Sequence, residues 1–167
     1  MPTTLSFAGS LRRPVNLLLV ALLAVVGFVA MSGGTSSGGA QAHASSLTFR
    51  QKAVQIASFQ KGDPYRYGAD GPNAFDCSGL TKYAYKQTGH YLQHSTSGQW
   101  RETMRIRKHH KRPGDLIFYT SNGRPSGIYH VALYAGNGYT WVARHSGTRV
   151  TKQKIYSSRY LVGRVRR

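Results

Sequence analysis

Tyr129-His130-Val131-Ala132-Leu133-Tyr134-Ala135-Gly136-Asn137-Gly138-Tyr139-Thr140-Trp141-Val142-Ala143-Arg144 carries the clearest fold signal in the chain. Two strand-like runs, 129–135 and 139–144, flank Gly136-Asn137-Gly138. Asn-Gly between apolar runs is a strong hairpin signal, because both turn residues must accept positive φ. Upstream, Pro113-Gly114 turns the chain into a strand over 115–119, and 121–127 form a loop. Downstream, 149–155 and 160–165 supply the last strands. Toward the N-terminus the apolar period changes. Leu47, Ala53, Val54, Ile56 and Ala57 mark an amphipathic helix over 47–60, stopped by Gly62-Asp63-Pro64. Residues 64–76 are rich in Gly, Pro and Asn and read as loop. Residues 77–87 read as helical, ended by Thr88-Gly89, and 97–104 as a short helix. Helices first and antiparallel strands after predict an α+β fold.

The composition narrows the chemistry. The chain has 167 residues, 23 Lys+Arg against 5 Asp+Glu, a formal charge of +18, and one cysteine. A single cysteine excludes an internal disulfide framework and multi-cysteine zinc or iron–sulfur sites. Five acids argue against a carboxylate cage for a metal. Eleven Tyr, six Phe and two Trp are too many for a disordered cationic tail. No cofactor and no metal is implied.

Residues 1–44 read as a secretory signal peptide. Arg12 and Arg13 precede an apolar run over 17–31, and two A-x-A sites, Ala40-Gln41-Ala42 and Ala42-His43-Ala44, follow a small-residue stretch. The apolar run is shorter than the ~20 residues that span a bilayer. An uncleaved membrane anchor is the competing reading. Cleavage after Ala44 leaves residues 45–167 as a single domain. Loss of Arg12 and Arg13 takes the charge from +18 to +16, since no acid precedes Asp63. On a secreted protein such a charge meets anionic wall polymers and membrane headgroups first. The densest run is Arg105-Ile106-Arg107-Lys108-His109-His110-Lys111-Arg112. It reads either as a polyanion dock or as a solvated loop or edge. No RNA-binding aromatic signature or helix-turn-helix spacing is present.

Reactive chemistry centres on Cys77, in Phe75-Asp76-Cys77-Ser78-Gly79-Leu80, where the Gly/Pro-rich loop becomes a helix. Unpaired N–H groups and the positive dipole end of a helix favour a thiolate, so a lowered thiol pKa is expected there. Asp76 suits the N-cap position. A buried structural cysteine is the competing reading. Among seven histidines, His130 opens an apolar strand, a rigid edge able to aim an imidazole at a thiol. Its alternative is a hydrogen-bonded strand-end histidine. Trp100, Trp141, Tyr67 and Tyr139 either line a groove or fill the core, with core the default for aromatics.

Asp76-Cys77-Ser78-Gly79-Leu80, Pro113-Gly114-Asp115-Leu116 and the run from His130 to Gly138, with Pro64-Tyr65-Arg66-Tyr67-Gly68 upstream, resemble the NlpC-type cell-wall cysteine peptidases. The resemblance covers roughly 50–166. It implies a papain-like core in which a nucleophile helix packs on an antiparallel sheet carrying the base. It also implies hydrolysis of peptidoglycan stem peptides at the γ-D-glutamyl–diamino-acid bond. Position by position, Cys77 matches the nucleophile, His130 the base, and Tyr65 a tyrosine near the thiol. Asp76 and Ser78 match positions that hold the stem peptide. The resemblance breaks where relatives carry a polar residue, usually His, that orients the imidazole: Val142 stands there. His145 lies three residues further on, an odd offset that points to the opposite strand face unless the chain bulges. His145, a backbone carbonyl or a water is then the candidate orienting group.

Three rival readings remain. The same fold serves as a weakly active or inactive wall-binding protein, the thiol serves an acyl transferase or amidase, or the charge serves a cationic antimicrobial or nucleic-acid-binding protein.

Overall fold

The computed structural model describes residues 47–167. The leader assigned to 1–44 lies outside the described residues. Thr48 opens the fold with a capping box: its side chain accepts from Gln51 N, and its backbone N–H donates to Gln51 Oε1. The helix it starts, α1 (Phe49–Phe59), buries Ala53 and Ala57. A looped segment follows, then α2 (Cys77–Lys86) and α3 (Thr96–Glu102), capped by Asp76 and Ser95 through the N–H groups of Gly79 and Gly98.

Six strands follow: β1 (Thr103–Ile106), β2 (Leu116–Thr120), β3 (Ile128–Gly136), β4 (Tyr139–Val142), β5 (Thr151–Lys154) and β6 (Tyr160–Val165). They form one sheet in the order β1-β6-β2-β3-β4-β5. Every pairing is antiparallel. Asn137 and Gly138 connect β3 to β4 with φ of 52° and 79°, the paired positive values of the tightest hairpin turn.

Alternation along the strands sorts side chains into two layers. Leu116, Phe118, Val131, Leu133 and Trp141 face the helices and pack with Leu80, Ala84, Tyr85 and Trp100. Ile117, Tyr119, Ala132, Tyr134, Val142 and Val162 form a second apolar layer, and their even alternation places it on the sheet's other side. Trp100 and Trp141 are therefore core, whereas Tyr67 is 88% exposed. The architecture is the papain-like α+β arrangement expected from the sequence.

One element was not expected. The helix predicted over 97–104 ends at Glu102, and Thr103–Ile106 instead forms β1, paired with β6 from Thr103↔Val165 to Ile106↔Val162. The start of the basic run is thus a sheet edge. The opposite edge, β5, carries Lys152 and Lys154 into solvent.

Candidate active site

The loop before α2 is held tightly against that helix. Phe75 N donates to Pro64 O (3.1 Å), Arg66 N to Phe75 O (3.0 Å) and Asp76 N to Ala69 O (2.7 Å). Gly79 lets this happen: a Cβ there would sit 2.1 Å from Ala69 O. Asp76 joins the pieces. Its Oδ1 accepts from Gly79 N at 2.7 Å and Ser78 Oγ at 3.0 Å. Its Oδ2 accepts from Gly68 N at 2.9 Å and faces His94 Nε2 at 2.9 Å. The Asp76 and Ser78 side chains are thus both engaged inside the protein. Gln99, fully buried, ties α3 to α2 by donating to Ser78 O and accepting from Thr81 Oγ1.

Cys77 therefore begins α2 at a fixed height above the sheet. Its sulfur lies against the backbone N–H of Val131, the residue that follows His130 in β3. Cys77 and His130 line the same cleft of about 380 Å³, together with Tyr65, Asp76, Ser78 and His94. No direct hydrogen bond joins the thiol to the imidazole among the described residues.

The thiol does not have the lowered pKa that its helix position suggested. Burial pushes it above its ordinary 9.0, and the Asp76 carboxylate adds to the rise. The N–H groups of Val131, Ser78 and Cys77 pull it only partly back. Burial next to a carboxylate outweighs the helix terminus. His130 is 5% exposed, and burial, then the charges of Arg144 and His145, hold it down at about 4, from 6.5. Both shifts oppose moving the thiol proton to the imidazole. The resting pair is a neutral thiol and a neutral imidazole, and a nucleophile forms only by proton transfer to the base.

His130 Nε2 is fully buried without a hydrogen-bond partner. The other ring nitrogen, Nδ1, is not buried in this way, and His130 lines the cleft. The Leu133↔Trp141 register sets Val142 beside Ala132, diagonal to His130 on the same sheet face. Only an apolar side chain is there. His145 lies near enough for its charge to reach His130, yet its Nδ1 pairs with Ser146 O at 2.9 Å and it is exposed. It makes no hydrogen bond to His130. Tyr65 lines the cleft, and its hydroxyl is pushed above 10.0 by burial and then by Cys77.

Tyr67 lines the cleft, the groove alternative of the two that its sequence context left open, whereas His94, Tyr129 and Arg144 line it without having been picked out from sequence. Arg144 ends the strand-like run 139–144, and the β3–β4 register was the available signal that it faces His130.

A sequence model described as the NlpC/P60 family matches residues 62–165. The chain is 40% identical over 113 residues to "Probable endopeptidase p60" of Listeria monocytogenes, covering 65% of this chain and 22% of that protein. It is 36% identical over 107 residues to "Gamma-DL-glutamyl hydrolase" of Bacillus subtilis, covering 63% and 26%. The chain thus spans about a quarter or less of the length of these curated relatives. Among solved structures, RipD of Mycobacterium tuberculosis, described as a non-catalytic NlpC/p60 domain protein with an adaptation to peptidoglycan-binding function, superposes with a TM-score of 0.62. Its identity is 26%, over 72% of this chain and 100% of that one.

Proposed function

The chain belongs to the NlpC/P60 family, and on that premise we propose that it is a secreted cysteine endopeptidase of peptidoglycan stem peptides, cutting the γ-D-glutamyl–diamino-acid bond. Cys77 is its nucleophile and His130 its base. The observation that supports this most is the seating of the Cys77 sulfur against the Val131 N–H, in a cleft shared with His130. Nδ1 of His130 takes the thiol proton as sulfur attacks the γ-carbonyl carbon. The backbone N–H of Cys77, with the Tyr65 hydroxyl, stabilises the oxyanion. Collapse breaks the C–N bond, and His130 returns its proton to the departing amine. Water, deprotonated by His130, then releases the γ-carboxylate and restores the thiol. Asp76 and Ser78 shape the end of the cleft that receives the peptide. Export rests on the leader at 1–44. The uncompensated positive surface concentrates the enzyme on anionic wall polymers, an attraction that weakens with salt.

Digestion of purified muropeptides with wild type and Cys77→Ala, products read by mass, tests this reading. Wild type releases a new free γ-carboxylate and a new amine, and Cys77→Ala does not. Equal product from both overturns it. A second reading, a wall-binding protein without turnover, is favoured by Val142 and the unpartnered His130 Nε2. It requires no product from either protein and sedimentation with cell walls that survives Cys77→Ala.

A further inference from the structure

One fixed charge in the cleft has no role in the steps above. The Leu133↔Trp141 register, continued past β4, sets Arg144 across from His130. Arg144 lines the Cys77 cleft and also an adjoining recess of about 240 Å³ formed with Tyr129, His130, His145 and Tyr156. Its guanidinium carbon lies 4.4 Å from the Tyr156 ring centroid. Stacking of this kind fixes the plane of the fork and leaves its N–H edge available. Among the described residues no carboxylate pairs with Arg144. Lys82, His94 and Arg164 pair with Asp70, Asp76 and Asp115 instead. Asp76, the carboxylate of the cleft, has both oxygens occupied by internal partners. One end of the cleft is therefore compensated, and the end at His130 carries an open cation.

We propose that Arg144 is a specificity residue that grips a free carboxylate on a residue flanking the scissile amide, so that the cleft selects peptides carrying that carboxylate over amidated ones. The identity of the peptide rests on the hydrolase reading above, whereas the carboxylate grip stands on the geometry of Arg144. A planar fork meets a carboxylate through two parallel N–H···O bonds, a fit that an amide cannot reproduce. A second effect follows from the same contact. The groups around His130 are Arg144, His145, Tyr119, Tyr129, Tyr156 and Cys77, and Arg144 carries the permanent charge that weakens the base. A bound carboxylate cancels that charge, so the correct substrate strengthens the base as it binds.

Two carboxylates of a stem peptide fit this description: the α-carboxylate of the γ-glutamyl residue, and the side-chain carboxylate of the diamino acid. Calorimetry with Cys77→Ala protein separates them, using L-Ala-γ-D-Glu-meso-diaminopimelate, its isoglutamine form and its L-lysine counterpart. The peptide lacking the gripped carboxylate binds about tenfold to a hundredfold more weakly, the scale of a charge-assisted pair. Weakening in the isoglutamine arm places the grip on the acyl side, and weakening in the lysine arm on the leaving side. In Cys77→Ala/Arg144→Gln the preference disappears, and Arg144→Lys restores part of it. Equal affinity for all three peptides, or a preference unchanged by Arg144→Gln, overturns the proposal. In the active protein, Arg144→Gln also moves the acid limb of kcat/KM to higher pH, and a stationary limb refutes the coupling to the base. Absence of product from every peptide with wild type defeats the hydrolase reading alone, because the binding comparison still decides the role of Arg144.

Discussion

Replacing Asp76 with alanine withdraws one carboxylate from four partners at once: the N–H groups of Gly68 and Gly79, the Ser78 hydroxyl and His94 Nε2. Loss of the cap alone costs about 1 kcal/mol. Each buried donor left without an acceptor costs about 1–3 kcal/mol more, less where water can enter. The His94 side chain is 24% exposed and recovers water readily, whereas Ser78 is buried. The sum expected for Asp76→Ala is about 3–5 kcal/mol, a large share of the 5–15 kcal/mol that stabilises a typical domain. Asp76→Asn keeps one acceptor and turns an NH₂ group toward donors, so about 1–3 kcal/mol is expected. Urea unfolding of both variants at pH 7 measures these losses, and peptide turnover is followed in parallel. If Asp76→Ala unfolds within about 1 kcal/mol of wild type yet loses turnover, the tether argument is wrong. Asp76 then acts on the peptide directly.

Val142→His supplies a polar group on the diagonal beside the unpartnered His130 Nε2. Turnover is expected to rise while stability falls by about 1–3 kcal/mol from overpacking, and a folded variant with no gain in turnover sinks the idea that this position was vacated. His130, held down at about 4 from 6.5, binds fewer protons in the native than in the unfolded chain between those values. Its contribution is complete above pH 6.5 and lost as pH falls toward 4, about 3 kcal/mol in all. Denaturant unfolding at pH 7 and 4.5 is expected to show a steeper acid loss for wild type than for His130→Gln, and parallel losses would refute it. Gly79→Ala drives a methyl toward Ala69 O. A loss of about 3 kcal/mol by chemical denaturation is expected, and a loss below about 0.5 kcal/mol would show that loop and helix are not in hard contact.

The β3–β4 hairpin was legible because Asn137-Gly138 states its turn locally and the flanking runs state their strands. The Asp76 cap was legible for the same reason. β1 was not: Thr103-Met104-Arg105-Ile106 alternates polar and apolar over only four residues that run straight on from α3, and its partner β6 lies some sixty residues away. The Cys77–His130 pairing had to come from resemblance, because no local pattern joins a helix start to a strand start. The expected fall in the Cys77 pKa failed for a related reason. A helix terminus can be read from a sequence, whereas the burial that outweighs it comes from the sheet below and the loop above. His94, just before α3, reaches the cleft by tertiary placement that its neighbours do not announce, whereas Arg144, just past β4, could have been placed across from His130 by extending the hairpin register. Val142, by contrast, was visible once the resemblance gave the position and the hairpin gave the register.

The two outer strands decide how copies of the molecule treat one another. A second copy that tried to extend the sheet at β5 would lay its own Lys152 and Lys154 against identical ammonium groups, and like charges there oppose strand addition. At high local concentration individual copies would then stay separate, where an uncharged edge at β5 would invite strand addition.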